Sequence, residues 1–221
     1  KVTGVPVARV ATKVLMGESL ASQGYGGGLW PRQNLVGIKA PVFSMGKLVG
    51  VDWHLGPEMK STGEVMGVDR DFVGALSKAL LAANLNLTKK MGVLLSIADQ
   101  HKAEALDLIK ELGQAGCPLY ATEGTAAMIS ALGIPVTVAN KMLDEGYPNV
   151  VDLITSGSVG AVINTLSGDT SVMQDGFFIR RAAVERQIPC FTSLDTARAA
   201  VESLLTERSS YSVMRTREYL D

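Results

Sequence analysis

The sequence has few of the residues on which many catalytic centres depend. Its 221 residues include two cysteines and two histidines, which lack the spacing of a Cys/His zinc site, and a disulfide framework is not expected from two cysteines. The cysteines, Cys117 and Cys190, lie in apolar stretches typical of buried thiols in a reducing compartment. A Walker phosphate loop and a Gly-x-Ser-x-Gly elbow are also absent from the sequence. These absences favour a protein that binds a ligand over one that transforms it.

Neither charge nor hydropathy indicates a nucleic-acid or membrane partner. The formal net charge of −1 is too small for bulk electrostatic attachment to either. No apolar run reaches the length needed to span a bilayer, and no basic segment followed by an apolar one marks a signal peptide. We therefore expect a cytoplasmic protein. Because the chain begins at Lys1 and runs at once into a helical pattern, we also expect a piece of a longer protein.

The first part of the chain has a mixed helix and strand pattern. Apolar spacing predicts a helix over residues 7–20, and a short strand is predicted over residues 40–45. Asp69 or Asp71 is expected to cap a following helix. The polar stretch 85–90 is predicted to be a linker between this part and the next.

From residue 93 the chain alternates five times between short apolar strands and helices. The predicted strands are 93–97, 118–121, 136–138, 161–163 and 190–192. The predicted helices are 102–114, 124–132, 150–156, 179–186 and a last one capped by Asp195. This alternation predicts an α/β fold with a five-stranded parallel sheet and helices on both faces.

Polar residues follow the predicted strands, at the edge where ligands bind in open parallel sheets. They are Ser96 and Lys102 after the first strand, Thr122, Gly124 and Thr125 after the second, Lys141 after the third, and Asn164 and Thr165 after the fourth. A Thr-x-Gly-Thr segment that opens a helix suits phosphate, because helix amino termini present unpaired N–H groups. Two lysines from other strand ends would add positive charge.

Each of these residues also has an ordinary structural interpretation. A threonine at the start of a helix can simply cap it, and a single lysine is usually a solvated surface charge. Asn164 can donate and accept hydrogen bonds, which suits the base or ribose of a nucleotide, but asparagine is also a common turn residue. The predicted convergence of several such groups favours a phosphate-bearing ligand.

The chain resembles the carbamoyl phosphate synthetase large-chain family throughout its length. Residues 55–67, LGPEMKSTGEVMG, are similar to the signature that closes the second ATP-grasp unit of that family, and Thr3-Gly4-Val5-Pro6 is similar to the segment before it. From about Thr88 the chain resembles the family's carboxy-terminal allosteric domain, which has a methylglyoxal-synthase-like fold. The resemblance implies a division into residues 1–84 (partial ATP-grasp α+β segment), 85–208 (allosteric domain) and 209–221 (tail).

The resemblance also implies a function. The family is an ATP-dependent ligase that makes carbamoyl phosphate from bicarbonate, glutamine-derived ammonia and two ATP, for pyrimidine and arginine synthesis. It uses Mg²⁺ or Mn²⁺ and a glutaminase small subunit, and the fragment itself is expected to carry no catalytic, metal-binding or cofactor-binding residues. The family's nucleotide effector pocket, for UMP or IMP, corresponds to Ser96, Lys102, Thr122, Gly124, Thr125, Lys141, Asn164 and Thr165.

The sequence departs from the family pattern at two places. Leu166 replaces a threonine of the Asn-Thr-Thr turn and removes a hydroxyl group, so the motif does not determine which effector binds. Cys190-Phe191-Thr192 replaces the Tyr-Asp-Thr of ornithine-activated members and lacks its carboxylate, so ornithine control is not predicted.

Two enzymes of related fold are the alternatives. A methylglyoxal synthase would act as a lyase on dihydroxyacetone phosphate, but it needs a carboxylate base, and the family's Ser-Gly-Pro-x-Gly-Gly-Asp stretch is replaced by residues 141–146, KMLDEG. A purine-pathway cyclohydrolase domain has a similar threonine-containing loop. The ATP-grasp signature at residues 55–67 argues against it.

Overall fold

The computed structural model describes residues 2–44, 57–140, 148–166, 170–206 and 212–219, with the backbone alone for 170–175. In the first part the elements are α1 (Val7–Leu15), β1 (Val36–Val42), β2 (Gly63–Asp69) and α2 (Phe72–Ala82). The second part comprises β3 (Val93–Ser96), α3 (Asp99–Gln114), β4 (Leu119–Thr122), α4 (Glu123–Ala131), β5 (Thr137–Ala139), α5 (Val150–Thr155), β6 (Ala161–Asn164), α6 (Thr170–Glu185), β7 (Cys190–Phe191) and α7 (Leu194–Leu205). A single turn of 3₁₀ helix, Thr216–Tyr219, follows.

The first part is an antiparallel strand pair covered by a helix. β1 and β2 pair from Val36 with Asp69 to Val42 with Gly63, and α2 packs on both strands. The Asp71 side chain accepts from the Gly74 N–H and caps α2. Of the two predicted caps, Asp69 and Asp71, the second is therefore the one present. The sequence interpretation missed β2, because glycine is depleted from strands and two glycines lie within this one.

Helix α1 is shorter than predicted and buries nothing. It ends at Leu15 rather than at residue 20, since Gly17 follows with a φ of +96° and turns the chain in the left-handed conformation that ends many helices. The apolar face remains on the surface, with Val7 65% and Leu15 88% exposed. The first part therefore has exposed apolar surface on this helix.

The second part confirms the predicted five-stranded parallel sheet with helices on both faces. The strand order is β5-β4-β3-β6-β7, so the chain starts at the centre, builds outward in one direction, and returns to build in the other. The reversal places β3 beside β6, with Ser96 in register with Asn164. A crevice for ligands forms at such a switch point, beyond the carboxyl ends of the strands.

Alternating residues of the central strand supply two separate cores. Val93 and Leu95 point to one face and join the cluster formed with α3, α4 and α7. Leu94 points to the opposite face and packs with α5 and α6. The period of two in a strand produces this division, and complete burial of a leucine such as Leu95 contributes about 1.5–3 kcal/mol.

Several element boundaries differ from the predictions. α3 begins at Asp99 rather than at Lys102, and α6 begins at Thr170 rather than at Ile179. Helix α7 has Ser193 at its N-cap position, so Asp195, the predicted cap, lies in the first turn. Leu87 of the predicted linker is 8% exposed and joins the core of the sheet, so this stretch is packed and not a free connection.

The tail returns to the first part of the chain. Tyr219 is 3% exposed, and the Arg70 guanidinium donates to the carbonyl groups of Glu218 and Tyr219 at 2.9 Å each. Among the described residues, no helix is long and apolar enough to cross a membrane.

Candidate functional site

The predicted polar residues that the structure describes meet at the carboxyl edge of the sheet. Ser96 ends β3, Thr122 ends β4 and Asn164 ends β6, and these three strands are adjacent. Thr122, Thr125, Asn164 and Thr165 are all buried polar residues, with exposures of 7%, 1%, 3% and 6%. Buried polar groups require hydrogen-bond partners, so their contacts define the site.

Thr122 is at the N-cap position of α4, but its side chain does not cap the helix. It has extended backbone geometry and makes no capping hydrogen bond. Its hydroxyl instead donates to Thr125 Oγ1 over a long 3.5 Å. The ordinary capping interpretation is therefore wrong for this residue, and the first N–H groups of α4 have no side-chain cap.

Lys102 lies against the beginning of α4. A Cβ atom placed on Gly124 would be 3.1 Å from the Lys102 Nζ, so the glycine leaves room for the ammonium group. The same ammonium pairs at 2.7 Å with Asp99, whose side chain is 93% exposed. The lysine and the Thr-x-Gly-Thr segment, predicted to converge, are thus neighbours. Together they form a positively charged position at a helix amino terminus.

Two threonines fix the loop between β3 and α3. Thr125 Oγ1 accepts from the Ile97 N–H at 3.1 Å, and Thr165 Oγ1 accepts from the Ala98 N–H at 2.8 Å. These hydroxyls therefore have a structural task that the sequence interpretation did not foresee. Each hydroxyl keeps a proton that it can donate, because accepting a hydrogen bond uses only a lone pair.

Asn164 is engaged more fully than expected. Its Oδ1 accepts from Arg180 Nη1 at 2.7 Å, and its Nδ2 donates to the Ser96 carbonyl at 3.4 Å. That carbonyl also accepts from the Thr165 N–H at 3.1 Å, which ties the ends of β3 and β6 together. The acceptor side of the amide is therefore occupied by a protein group.

Arg180 is the residue of this site that the sequence interpretation missed. It lies on α6 and is 1% exposed. An arginine among apolar residues at helical spacing, with Ile179 before it and Ala183 and Val184 after it, was the available signal. A charged residue at a core position of a helix almost always has a partner.

The remaining candidate residues fall in three situations. Lys141 lies outside the described residues. The Leu166 carbonyl accepts from Gln100 Nε2 at 3.3 Å, so this position contributes through its backbone. His101 is half-buried, and its Nδ1 is shielded from solvent with no hydrogen-bond partner among the described residues.

The fold is of the α/β class, with buried polar groups at the carboxyl edge of a parallel sheet and a cation beside a helix amino terminus, an arrangement that suits an anion. Residues 104–192 match the family described as MGS-like domain. The chain is also 56% identical over 223 residues to the carbamoyl phosphate synthase large chain of Thermomicrobium roseum. That similarity covers 99% of this chain, including the part before the MGS-like domain, and 21% of the relative's length. The chain is therefore homologous to a portion of a carbamoyl phosphate synthase large chain.

Proposed function

We propose that this chain is the regulatory, effector-binding part of the large chain of a glutamine-dependent carbamoyl phosphate synthetase. The whole cytoplasmic enzyme would be an ATP-dependent ligase that uses Mg²⁺ or Mn²⁺, bicarbonate and ammonia from a glutaminase small subunit. Residues 1–84 would belong to its second ATP-grasp unit, and residues 85–208 would bind a nucleotide effector such as UMP or IMP. The identity to the large chain from Thermomicrobium roseum supports this assignment.

The position of Lys102 over Gly124 carries the proposal for the effector site. A phosphate at this point would meet the ammonium group, the uncapped N–H groups of α4 and the Thr122 and Thr125 hydroxyls. Asp99, the present partner of Lys102, is almost fully exposed, and such surface pairs contribute only about 0–1 kcal/mol. A phosphate can therefore replace this carboxylate at little cost.

Helix α2 would transmit effector binding to the first part of the chain. It contacts α7, and the Ser77 and Ser203 hydroxyls lie 2.7 Å apart. Asn84, just after α2, donates from its side chain to the Gln187 carbonyl at 3.1 Å. An effector that prefers one of two arrangements of this interface would change the activity of the parent by a coupling free energy of about 1–3 kcal/mol.

The lyase alternative is not favoured. The similarity to a large chain extends through the first part of the chain, which a free-standing methylglyoxal synthase would not need. The two acidic residues of the segment 141–146, Asp144 and Glu145, lie outside the described residues.

The test is calorimetric titration of the 221-residue chain with UMP, IMP and phosphoribosyl pyrophosphate. Lys102→Ala should weaken binding of the preferred ligand about ten-fold or more, because charge-assisted hydrogen bonds contribute about 1.5–3 kcal/mol. Lys110→Ala is a matched control on the same helix: Lys110 pairs with Asp107 three residues before it, as Lys102 pairs with Asp99. Equal affinities of the two variants would place the phosphate elsewhere, and no binding of any of the three ligands would contradict the proposed function.

A further inference from the structure

Burial of a charged arginine side chain is unfavourable unless the charge interacts with another group, so the burial of Arg180 needs an explanation. Its guanidinium is permanently charged, and it is 1% exposed within α6. Removal of such a group from water is costly, and a well-packed apolar side chain of similar size often stabilises a fold as well or better. The position of Arg180 beneath the carboxyl edge of the sheet therefore directs attention to the group that it contacts there.

One group that Arg180 contacts there is the Asn164 side chain. Arg180 Nη1 donates to Asn164 Oδ1 at 2.7 Å, and both residues are buried. Arginine can only donate hydrogen bonds, so its partner must present an acceptor. This contact fixes the orientation of the amide: Oδ1 faces α6, and Nδ2 faces the end of β3, where it reaches the Ser96 carbonyl at 3.4 Å.

Gly176 makes the contact possible. It lies one helical turn before Arg180, and a Cβ atom there would be 2.6 Å from Arg180 Nη1 and 3.2 Å from Asn164 Oδ1. Only a glycine lets the guanidinium and the amide meet at this point. The three residues therefore form one unit, in which Gly176 gives space, Arg180 donates and Asn164 is oriented.

We propose that Arg180 is a positioning residue that determines effector specificity through Asn164. With Oδ1 held by Arg180 and one N–H directed at the Ser96 carbonyl, the amide can offer a ligand in the crevice only its second N–H. The site then selects a nucleotide that presents an acceptor, such as the oxo group of its base, and disfavours one that presents an amino group there. This inference depends on the proposed effector function, and it adds the chemistry by which the ligand is chosen.

The spacing of the strands is consistent with a phosphate site beside Lys102 and a base site beside Asn164. β4, which carries the phosphate-binding segment, and β6, which carries Asn164, are separated only by β3. Two strand spacings amount to about 10 Å, comparable with the reach of a mononucleotide from its phosphate to its base. A phosphate beside Lys102 and Gly124 would thus leave the rest of the nucleotide near Asn164.

The experiment compares IMP, AMP and inorganic phosphate as calorimetric ligands of the 221-residue chain. IMP and AMP share their phosphate and ribose and differ in a 6-oxo against a 6-amino group. The wild type should prefer IMP. Arg180→Met should reduce the ratio of the IMP and AMP affinities about ten-fold, because the Asn164 amide can then rotate. Affinity for inorganic phosphate should change less than about two-fold. Arg181→Met, which removes a neighbouring arginine paired with Glu185, should keep the wild-type ratio.

Two results would overturn the inference. One is an unchanged IMP to AMP ratio in Arg180→Met, and the other is a parallel loss of affinity for nucleotide and phosphate, which indicates a structural role alone. If Arg180→Met does not fold, as judged by its thermal melting, the IMP to AMP ratio is measured for Gly176→Ala instead. The added methyl group displaces the guanidinium from Asn164 without removing the arginine charge. A wild type that binds IMP without preferring it over AMP refutes the inference and leaves the proposed function intact. A wild type that binds no nucleotide refutes both.

Discussion

The Lys78 Nζ donates a hydrogen bond of 3.0 Å to the Tyr219 hydroxyl, although 141 residues separate the two. The same ammonium pairs with Asp69 at 2.9 Å and donates to the Val68 carbonyl at 3.0 Å. It also lies 5.4 Å from the centre of the Tyr219 ring, within the range of a cation–π contact. The last described residues of the chain are therefore fixed to α2 and β2.

Tyr219→Phe should lower the free energy of unfolding. It removes the acceptor of a hydrogen bond from a mostly buried ammonium, and such charge-assisted bonds contribute about 2 kcal/mol. Urea denaturation measures the effect. Tyr25→Phe is the control, since the Tyr25 hydroxyl makes no hydrogen bond within the described part of the chain. Equal midpoints for the two variants would mean that the tail contact does not stabilise the fold.

Stability should depend on pH through the pair of Asp69 and Lys78. Burial by itself would raise the pKa of Asp69, but hydrogen bonds from Lys78 and the Arg70 N–H outweigh it and hold the pKa below its ordinary value. A carboxylate with a lowered pKa stabilises the fold above its unfolded pKa of about 3.9, and this contribution is lost as the pH falls through the lower folded value. Burial likewise opposes the charge of Lys78, yet hydrogen bonds with Tyr219 and Asp69 raise its pKa, so its contribution is lost only as the pH rises above about 10.4.

The measurement is the urea midpoint of the wild type and of Asp69→Asn between pH 7 and pH 2. The wild type should be more stable at pH 7, and the difference between the two should shrink as the pH falls below about 4. Glu64→Gln is a suitable comparison, because Glu64 and its partner Lys39 are 63% and 71% exposed. A difference for Asp69→Asn that stays constant across this range would refute the assignment.

Gly67→Ala should be strongly destabilising. A Cβ atom at Gly67 would overlap the Ala75 carbonyl and the Ala79 amide nitrogen on α2, so the helix must move away from the strand. Overpacking of this kind costs about 3 kcal/mol. Gly63→Ala, on the same strand, meets nothing within 4 Å and should leave the melting temperature nearly unchanged. A similar small effect of both substitutions on the melting temperature would show that α2 can shift without loss of stability.

Gly124→Ala should weaken nucleotide binding without loss of stability. Its methyl group would take the space beside the Lys102 Nζ, while alanine is a better helix former than glycine. Calorimetry should show about a ten-fold loss of affinity for the preferred nucleotide, equivalent to 1.4 kcal/mol. Ser130→Ala, on the exposed side of the same helix, should bind as the wild type does. Unchanged binding by Gly124→Ala would show that the ligand does not bind beside Lys102.

The architecture of the second part could be predicted because its signals are local. Each strand is a short apolar run, and Gly116, Gly133 and Gly157 end their helices in the left-handed conformation that glycine allows. Once the strands are parallel, the residues that follow them must share one edge of the sheet. This is why Lys102 and Gly124 could be expected to meet, although their loops follow different strands.

The missed features depend on contacts between distant residues. Gly176 is unfavourable inside a helix, so the sequence pattern placed the beginning of α6 after it. Its role is visible only beside Arg180 and Asn164, which belong to different elements. The polar tail likewise gives no sign that Tyr219 will be buried, since its partner Lys78 lies far away in the sequence. Such contacts arise from the tertiary structure and leave no periodic pattern.

The contacts between the two parts of the chain determine where the proposed effector-binding module could be cut for transfer to another protein. A cut after Asn84 follows the sequence boundary, yet it would separate α2 from α7, Asn84 from Gln187, and the tail from its binding place on Lys78. A module cut at that point would lose Leu76 and Leu80 of α2, which belong to the core of the sheet domain, and would expose the apolar residues packed around them. A transfer of the proposed effector-binding module into another protein should therefore include β1, β2, α2 and the tail together with the sheet.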